Sequence, residues 1–281
     1  MRWLIIQSAG EHDGIRDNWT PNYYLRECLS LQFALERAGQ QCDIWGKHHS
    51  NFDKVPPLDQ YDVIFLVENS DLSWVPDFSS CKALKIQWII DLHCNRNTYL
   101  KWSPMCDVVL HSTKSLMNNY QSFPNQKHIW FPNSFDERYF VDKKLERPID
   151  VAFIGSIEGD RREWLRLLNV EHLFLTGIDM INKISSIKIH FNKTLSTDVN
   201  YRCFETIGLG TCLLTNYLSE MEELGFKDKE NCLFYRNIEE CKEKISFALN
   251  NEEWKRIGLN AHEFAKSQTY SKRIEALLKE L

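Results

Sequence analysis

Apolar runs recur along this chain, and most are apolar at every central position rather than at alternate ones. WLIIQS (3–8), CDIWG (42–46), DVIFLVEN (62–69), KIQWIIDLH (85–93), CDVVLHS (106–112) and HIWFPN (128–133) read as strands. A strand without the period of two is buried on both faces, which is the habit of a parallel sheet covered by helices. Between the first two runs, Leu25, Cys28, Leu29, Leu31, Leu35 and Ala38 fall at helical spacing, so residues 22–38 predict a helix ended by Gly39. Residues 114–121 predict a short one.

A second series follows. IDVAFIGS (149–156), HLFLTG (172–177), IKIHFNK (187–193), CLLTN (212–216) and CLFYR (232–236) read as strands. Helices are expected at 162–169, 178–186, 201–209 and 218–225, and residues 238–281 read as helical throughout. Between the series, FPNSFDERYFVDKKLERP (131–148) is polar and ends on Pro, the composition of a linker. Strands alternating with helices predict an α/β protein of two Rossmann-like open parallel-sheet domains. Ligands of such sheets bind beyond the carboxyl ends of the strands, where strand order reverses. Two units facing each other would make a cleft.

Composition narrows the class. A chain of 281 residues is long for one core and comfortable for two. The net charge of −5 gives no global pull toward nucleic acid or an anionic membrane. The apolar runs all fall short of the ~18 residues that a membrane helix needs, and the start lacks a signal peptide's long apolar region. Nine Cys form no CxxC and no Cys/His pair at zinc spacing, so reduced thiols in a cytoplasmic protein are expected. No GxGxxG follows the first strand, which argues against a dehydrogenase.

Two stretches carry candidate chemistry. Gly155 and Ser156 end a strand and lead into a helix containing Arg161 and Arg162. A slim turn lets backbone approach a phosphate, the helix N-terminus attracts it, and an Arg adds charge-assisted bonds; an ordinary strand-to-helix turn has the same form. In NYRCFETIGLGTCLLTN (200–216), Arg202 and Glu205 sit one turn apart at the start of a helix. Glu205 could accept from the vicinal hydroxyls of a ribose while Arg202 faces a phosphate. A local ion pair worth a few tenths of a kcal/mol fits the same spacing.

VNYRCFETIGLGTCLLTN (199–216) resembles the nucleotide-sugar-binding segment of GT-B glycosyltransferases, in particular the CgeB-like group with a group 1 type C-terminal domain. IDVAFIGSIEGDRREWLRLL (149–168) is similar to the strand, Gly-Ser turn and Arg-bearing helix that open that domain. KIHFNK (188–193) resembles the strand before the Arg-x-x-Glu helix, with Asn192 in the usual Asn position. Residues 230–278 resemble the family's ending, with Gln268, Thr269, Tyr270 and Arg273 in its terminal signature. The resemblance covers about 149–281; the N-terminal half matches in architecture alone. Asn216 stands where Asp is commoner, and Gln268 where His is.

The resemblance implies transfer of a hexosyl or pentosyl group from a nucleoside-diphosphate sugar, UDP or GDP, without metal or other cofactor. Glu205 would hold the ribose, and Arg202 with Arg161 or Arg162 the diphosphate. Gly155, Ser156, Asn192 and Tyr201 would line the donor pocket. The acceptor, a glycan, protein, small molecule or modified nucleic-acid base, is not named by the sequence; a non-catalytic nucleotide-sugar-binding protein of this fold would read alike. The expected boundaries are 1–147 for the acceptor domain and 148–262 for the donor domain, with a terminal helix at 263–281 crossing back to the first. Catalytic groups are expected at strand ends of the first domain: His12 and Asp13 after the first strand, Asp91 and His93 after the fourth.

Overall fold

A computed structural model describes residues 1–9, 26–69, 71–139 and 146–281. The chain divides into two units, Met1–Pro132 with Tyr270–Leu281, and Asn133–Thr269.

The first unit is built on six parallel strands: β1 (Arg2–Ile6), β2 (Gln41–Trp45), β3 (Val63–Leu66), β4 (Leu84–Ile89), β5 (Val108–His111) and β6 (Lys127–Trp130). Their order is β2-β1-β3-β4-β5-β6, so the direction of winding reverses between β1 and β3. Every position of β3 and of β5 is buried, as an apolar run in a parallel sheet requires. Helices α1 (Glu27–Arg37), α2 (Leu92–Trp102) and α3 (Lys114–Met117) connect the strands. The last helix, α10 (Tyr270–Glu280), packs on α1 with Ile274 and Leu277 buried. Its first residue, Tyr270, meets the Trp88 ring edge-on at 6.3 Å, and Trp88 Nε1 donates to the Phe131 carbonyl at 3.1 Å.

Strands stop earlier than their apolar runs. KIQWIIDLH predicts a strand through His93, yet β4 ends at Ile89 and Asp91 is the N-cap of α2. That helix buries only Leu92 and Tyr99, too narrow a face to show as a period in the sequence. Of the helix predicted over 22–38, residues 27–37 are helical, and those up to 25 lie outside the described residues.

The second unit holds β7 (Ile149–Ile154), β8 (Glu171–Leu173), β9 (Ile187–Asn192), β10 (Cys212–Asn216) and β11 (Leu233–Tyr235), all parallel, in the order β11-β10-β9-β7-β8. The winding reverses between β7 and β9. Six helices cover the sheet: α4 (Arg161–Leu168), α5 (Gly177–Ile184), α6 (Tyr201–Gly208), α7 (Ser219–Leu224), α8 (Ile238–Asn250) and α9 (Glu253–Ala265). One face is an apolar core of Phe153, Ile189, Phe191, Leu214 and Tyr235.

Part of the segment read as a linker is bound structure. Asn133, Ser134, Phe135 and Asp136 are buried, and Phe135 N–H donates to the Gln268 carbonyl at 2.9 Å. A Cβ on Gly208 would lie 2.5 Å from the Phe135 ring, so only glycine lets α6 and this strap meet. Polar composition disguised a segment whose backbone is held by tertiary hydrogen bonds. No described helix is long and apolar enough to cross a membrane.

Candidate functional site

The carboxyl edge of the second sheet, around the reversal between β7 and β9, gathers most of the residues singled out in the sequence. Gly155 follows β7 at φ +156°, and a Cβ there would press on the Phe153 ring at 3.2 Å. Its carbonyl is bonded to His172 Nε2 at 2.8 Å and its N–H donates to the Leu173 carbonyl. The turn is therefore fixed from β8 as well as from β7.

Arg161 is the clip between the two strand ends. It is 8% exposed; Nε donates to the Lys193 carbonyl at 2.8 Å and Nη1 to the Ser156 carbonyl at 3.1 Å. Burial lowers its pKa, the carboxylates of Glu158 and Asp198 oppose that shift, and the nearby charge of Arg202 adds to it. Arg162, the neighbour on the same helix, is exposed. Lys193, the residue after β9, pairs with Asp160 at 2.9 Å and lies 5.2 Å over the Trp164 ring. It is a cation at the same edge that sequence reasoning passed over, although it closes the KIHFNK run.

Asn192 does not open onto the edge. It is buried beneath α6, and its side-chain amide donates to Thr215 Oγ1 at 3.1 Å and Cys203 Sγ at 3.3 Å, while its backbone carbonyl accepts from Tyr235 Oη at 2.8 Å. It ties β9 to β10, β11 and α6. Asn216, in the position where Asp is commoner, also bridges: Oδ1 accepts from Thr194 N–H at 2.9 Å and Nδ2 donates to Thr194 Oγ1 at 2.9 Å. A carboxylate could keep the second only if the Thr194 hydroxyl left the Ser196 carbonyl, to which it donates at 2.8 Å, and donated to the carboxylate instead. Gln268 donates from Nε2 to the Leu224 carbonyl at 3.1 Å, an anchor for the end of α7.

On α6, Arg202 and Glu205 form an ion pair, Nη1 to Oε2 at 2.6 Å, with each side chain about one-fifth exposed (19% and 18%). Arg202 Nη1 also contacts Met180 Sδ. Tyr201 opens the helix and is partly buried. Below it, Thr206 Oγ1 donates to the Arg202 carbonyl at 2.6 Å and is bonded to His190 Nδ1 at 2.6 Å. His190 is fully buried, and burial, then the charge of Arg202, push its pKa well below the usual imidazole value. A neutral imidazole thus supports the start of α6 from inside the sheet.

The catalytic candidates of the first unit divide. His12 and Asp13 lie outside the described residues. His93 is exposed on α2. Asp91 sits at the turn into α2, and its N–H donates to Glu68 Oε2 at 3.1 Å. Glu68 itself was read only as the end of a strand. It lies past β3, accepts from Asn95 Nδ2 at 3.3 Å, and shares its surroundings with Glu27 and Gln7. Burial first, then the charge of Asp91, raises its pKa to about 8. Among the described residues no group of three or more His, Cys, Asp or Glu is arranged to hold a metal ion.

Residues 138–279 match the family model described as glycosyl transferase-like. No curated protein matches the sequence. Among solved structures, an alpha-glucosyltransferase in complex with UDP-glucose and DNA containing an abasic site is 12% identical, with 100% of this chain and 99% of that one covered and a TM-score of 0.69. Anabaena Alr3699/HepE, in complex with UDP and glucose, is 10% identical over 100% of both chains with a TM-score of 0.67. Sucrose-phosphate synthase from Thermosynechococcus elongatus is 10% identical over 99% of this chain and 98% of that one, with a TM-score of 0.65. At these identities the likeness is one of fold, the GT-B arrangement of two parallel-sheet α/β units.

Proposed function

This chain belongs to the glycosyl transferase-like family, and from that premise we propose that it moves a sugar from a nucleoside-diphosphate sugar to an acceptor hydroxyl. The observation that carries this reading is the meeting of Gly155–Ser156, Lys193 and the Arg202–Glu205 pair at one sheet edge, on the matched part of the chain. Glu205 uses Oε2 for Arg202, and its other oxygen is the acceptor for the vicinal hydroxyls of a ribose. Arg202 and Lys193 face the diphosphate, Arg162 adds charge from the exposed side of α4, and the leaving diphosphate is stabilised where its charge develops. Arg161 and Asn192 act one step back: the first fixes the two strand ends, the second holds α6 on the sheet.

UDP is the preferred carrier, because the HepE and alpha-glucosyltransferase complexes hold UDP or UDP-glucose. Two side-chain cations at the edge support a transfer that needs no metal. The nine free cysteines, seven of them buried, suit a reducing, cytoplasmic setting. DNA accompanies UDP-glucose in the alpha-glucosyltransferase complex, but a net charge of −5 gives this chain no long-range attraction to that acceptor.

Titration calorimetry with UDP and GDP tests the reading. Wild type should bind one of them, and Glu205→Ala should weaken binding by about tenfold or more, the loss of charge-assisted hydrogen bonds. No heat with either nucleotide at millimolar concentration, or unchanged affinity in Glu205→Ala, would overturn it.

A further inference from the structure

Under α6 the interior of the second unit is not wholly apolar. His190 of β9 and Thr206 of α6 are both 0% exposed, and His190 Nδ1 lies 2.6 Å from Thr206 Oγ1. The Arg202 carbonyl lies 2.6 Å from the same oxygen. A carbonyl only accepts, so the single proton of the Thr206 hydroxyl lies between these two oxygens. Thr206 Oγ1 therefore accepts from the imidazole, which fixes His190 as the tautomer protonated on Nδ1. Its Nε2 is enclosed without a partner, so an imidazolium would bury a second N–H with nothing to accept it. The proton order is thus set along the chain, from His190 Nδ1 to Thr206 Oγ1 and on to the Arg202 carbonyl.

That order acts on Arg202. In a helix its carbonyl already accepts from the N–H four residues on, and the Thr206 hydroxyl takes the second lone pair. A helical Thr divides between two rotamers, because its hydroxyl can bond the carbonyl three or four residues back. The imidazole, donating from the sheet, holds the rotamer that meets Arg202. The peptide that bears the Arg202 side chain is so tied to β9, while the guanidinium is tied to Glu205 Oε2. Two buried polar side chains cost folding free energy relative to apolar ones of like size, and here they sit under the cation of the donor edge.

We propose that His190 and Thr206 are positioning residues of the donor site. They order the Arg202–Glu205 pair before a nucleotide arrives, so affinity for the nucleotide depends on two side chains that never touch it. This role rests on the donor reading above and needs residues of the second unit alone. A long cationic side chain loses rotamer freedom when it closes on a ligand. An Arg202 already held at its backbone and at its head loses less, which is the gain from preorganisation.

Three measurements on the full chain test this. Nitrogen NMR with labelled histidine, assigned through His190→Asn, should show His190 protonated on Nδ1; protonation on Nε2 overturns the chain. In the ligand-free protein the Arg202 Nε–H, assigned through Arg202→Lys, should be ordered by its heteronuclear NOE. It should become mobile in Thr206→Val and His190→Gln and stay ordered in Thr206→Ser and His190→Asn. Asn places an amide N–H where Nδ1 stands, whereas Gln places it where Nε2 stands. Titration calorimetry with whichever of UDP and GDP wild type binds should show affinity lowered about fivefold or more in Thr206→Val and His190→Gln, the loss of one hydrogen bond. Thr206→Ser and His190→Asn should bind like wild type. A merely structural role would shift urea midpoints and leave Arg202 ordered and the affinity at its wild-type value, and that result overturns the proposal. Failure of wild type to bind either nucleotide overturns the donor reading instead, and the order of Arg202 still decides whether His190 and Thr206 position it.

Discussion

His111 and His128 stack at 5.2 Å on neighbouring strands β5 and β6, with His111 Nε2 bonded to His128 Nδ1 at 2.9 Å. The bond needs one of the two facing nitrogens without a proton, so a doubly protonated pair cannot keep it. Burial, then the neighbouring imidazole, lowers the His111 pKa to about 3, and burial lowers that of His128. A histidine depressed when folded binds its proton more readily when unfolded, so this pair favours folding above the ordinary imidazole pKa and opposes it below. Stability should fall as pH drops from ~6.5 toward 3, by up to about 1.4 kcal/mol per unit for His111, and the lowered pKa of His128 acts in the same direction. Urea unfolding at pH 7, 6 and 5 measures the slope, and a His111→Leu variant should flatten it. At the same scale, Asn216→Asp leaves one proton on Thr194 Oγ1 for two acceptors, the new carboxylate and the Ser196 carbonyl, so one hydrogen bond is lost and the change should cost about 1 kcal/mol, with the N–H of Thr194 still satisfied.

Among the elements, α6 depends on its far end. Arg147 donates to the carbonyls of Ile187 at 2.9 Å, Leu209 at 3.0 Å and Gly210 at 2.9 Å, and contacts the Thr211 hydroxyl. His262 Nδ1 bonds the Gly208 carbonyl at 2.8 Å. A guanidinium at a helix C-terminus satisfies orphan carbonyls and meets the negative end of the helix dipole. Arg147→Met should destabilise the second unit by about 3 kcal/mol, because buried carbonyls lose their donor; Arg147→Lys should not restore it, since one ammonium cannot span the same oxygens. Urea midpoints read from a probe in the second unit decide this. None of it was legible beforehand: Arg147 lay in a polar run that looked like a linker. The strands were legible, because burial on both faces leaves an unbroken apolar signature. The Arg202–Glu205 contact was legible too, because i, i+3 spacing fixes it locally. Glu68 and the inward turn of Asn192 depend on residues far away in sequence, which no local pattern reports.

At the scale of the whole molecule, each unit has its own parallel sheet and core, and among the described residues the two carry different tryptophans: Trp3, Trp45, Trp74, Trp88, Trp102 and Trp130 in the first, Trp164 and Trp254 in the second. The donor assignment therefore makes a regional claim. A ligand that binds the folded state stabilises the part that must be intact to hold it, by about 2.7 kcal/mol at a hundred times its Kd. Hydrogen exchange with saturating UDP should slow in β9, β10 and α6, which carry Asn192, Asn216 and the Arg202–Glu205 pair. Exchange in β4 and β5, which lie under Asp91 and His111, should change less. The same protection with EDTA present would support phosphate recognition by Arg202 and Lys193 alone, because a metal bridge would be stripped and its stabilisation lost. Protection centred on the first sheet would place the nucleotide on the wrong unit for Glu205 to touch it, whatever the affinity measured in solution.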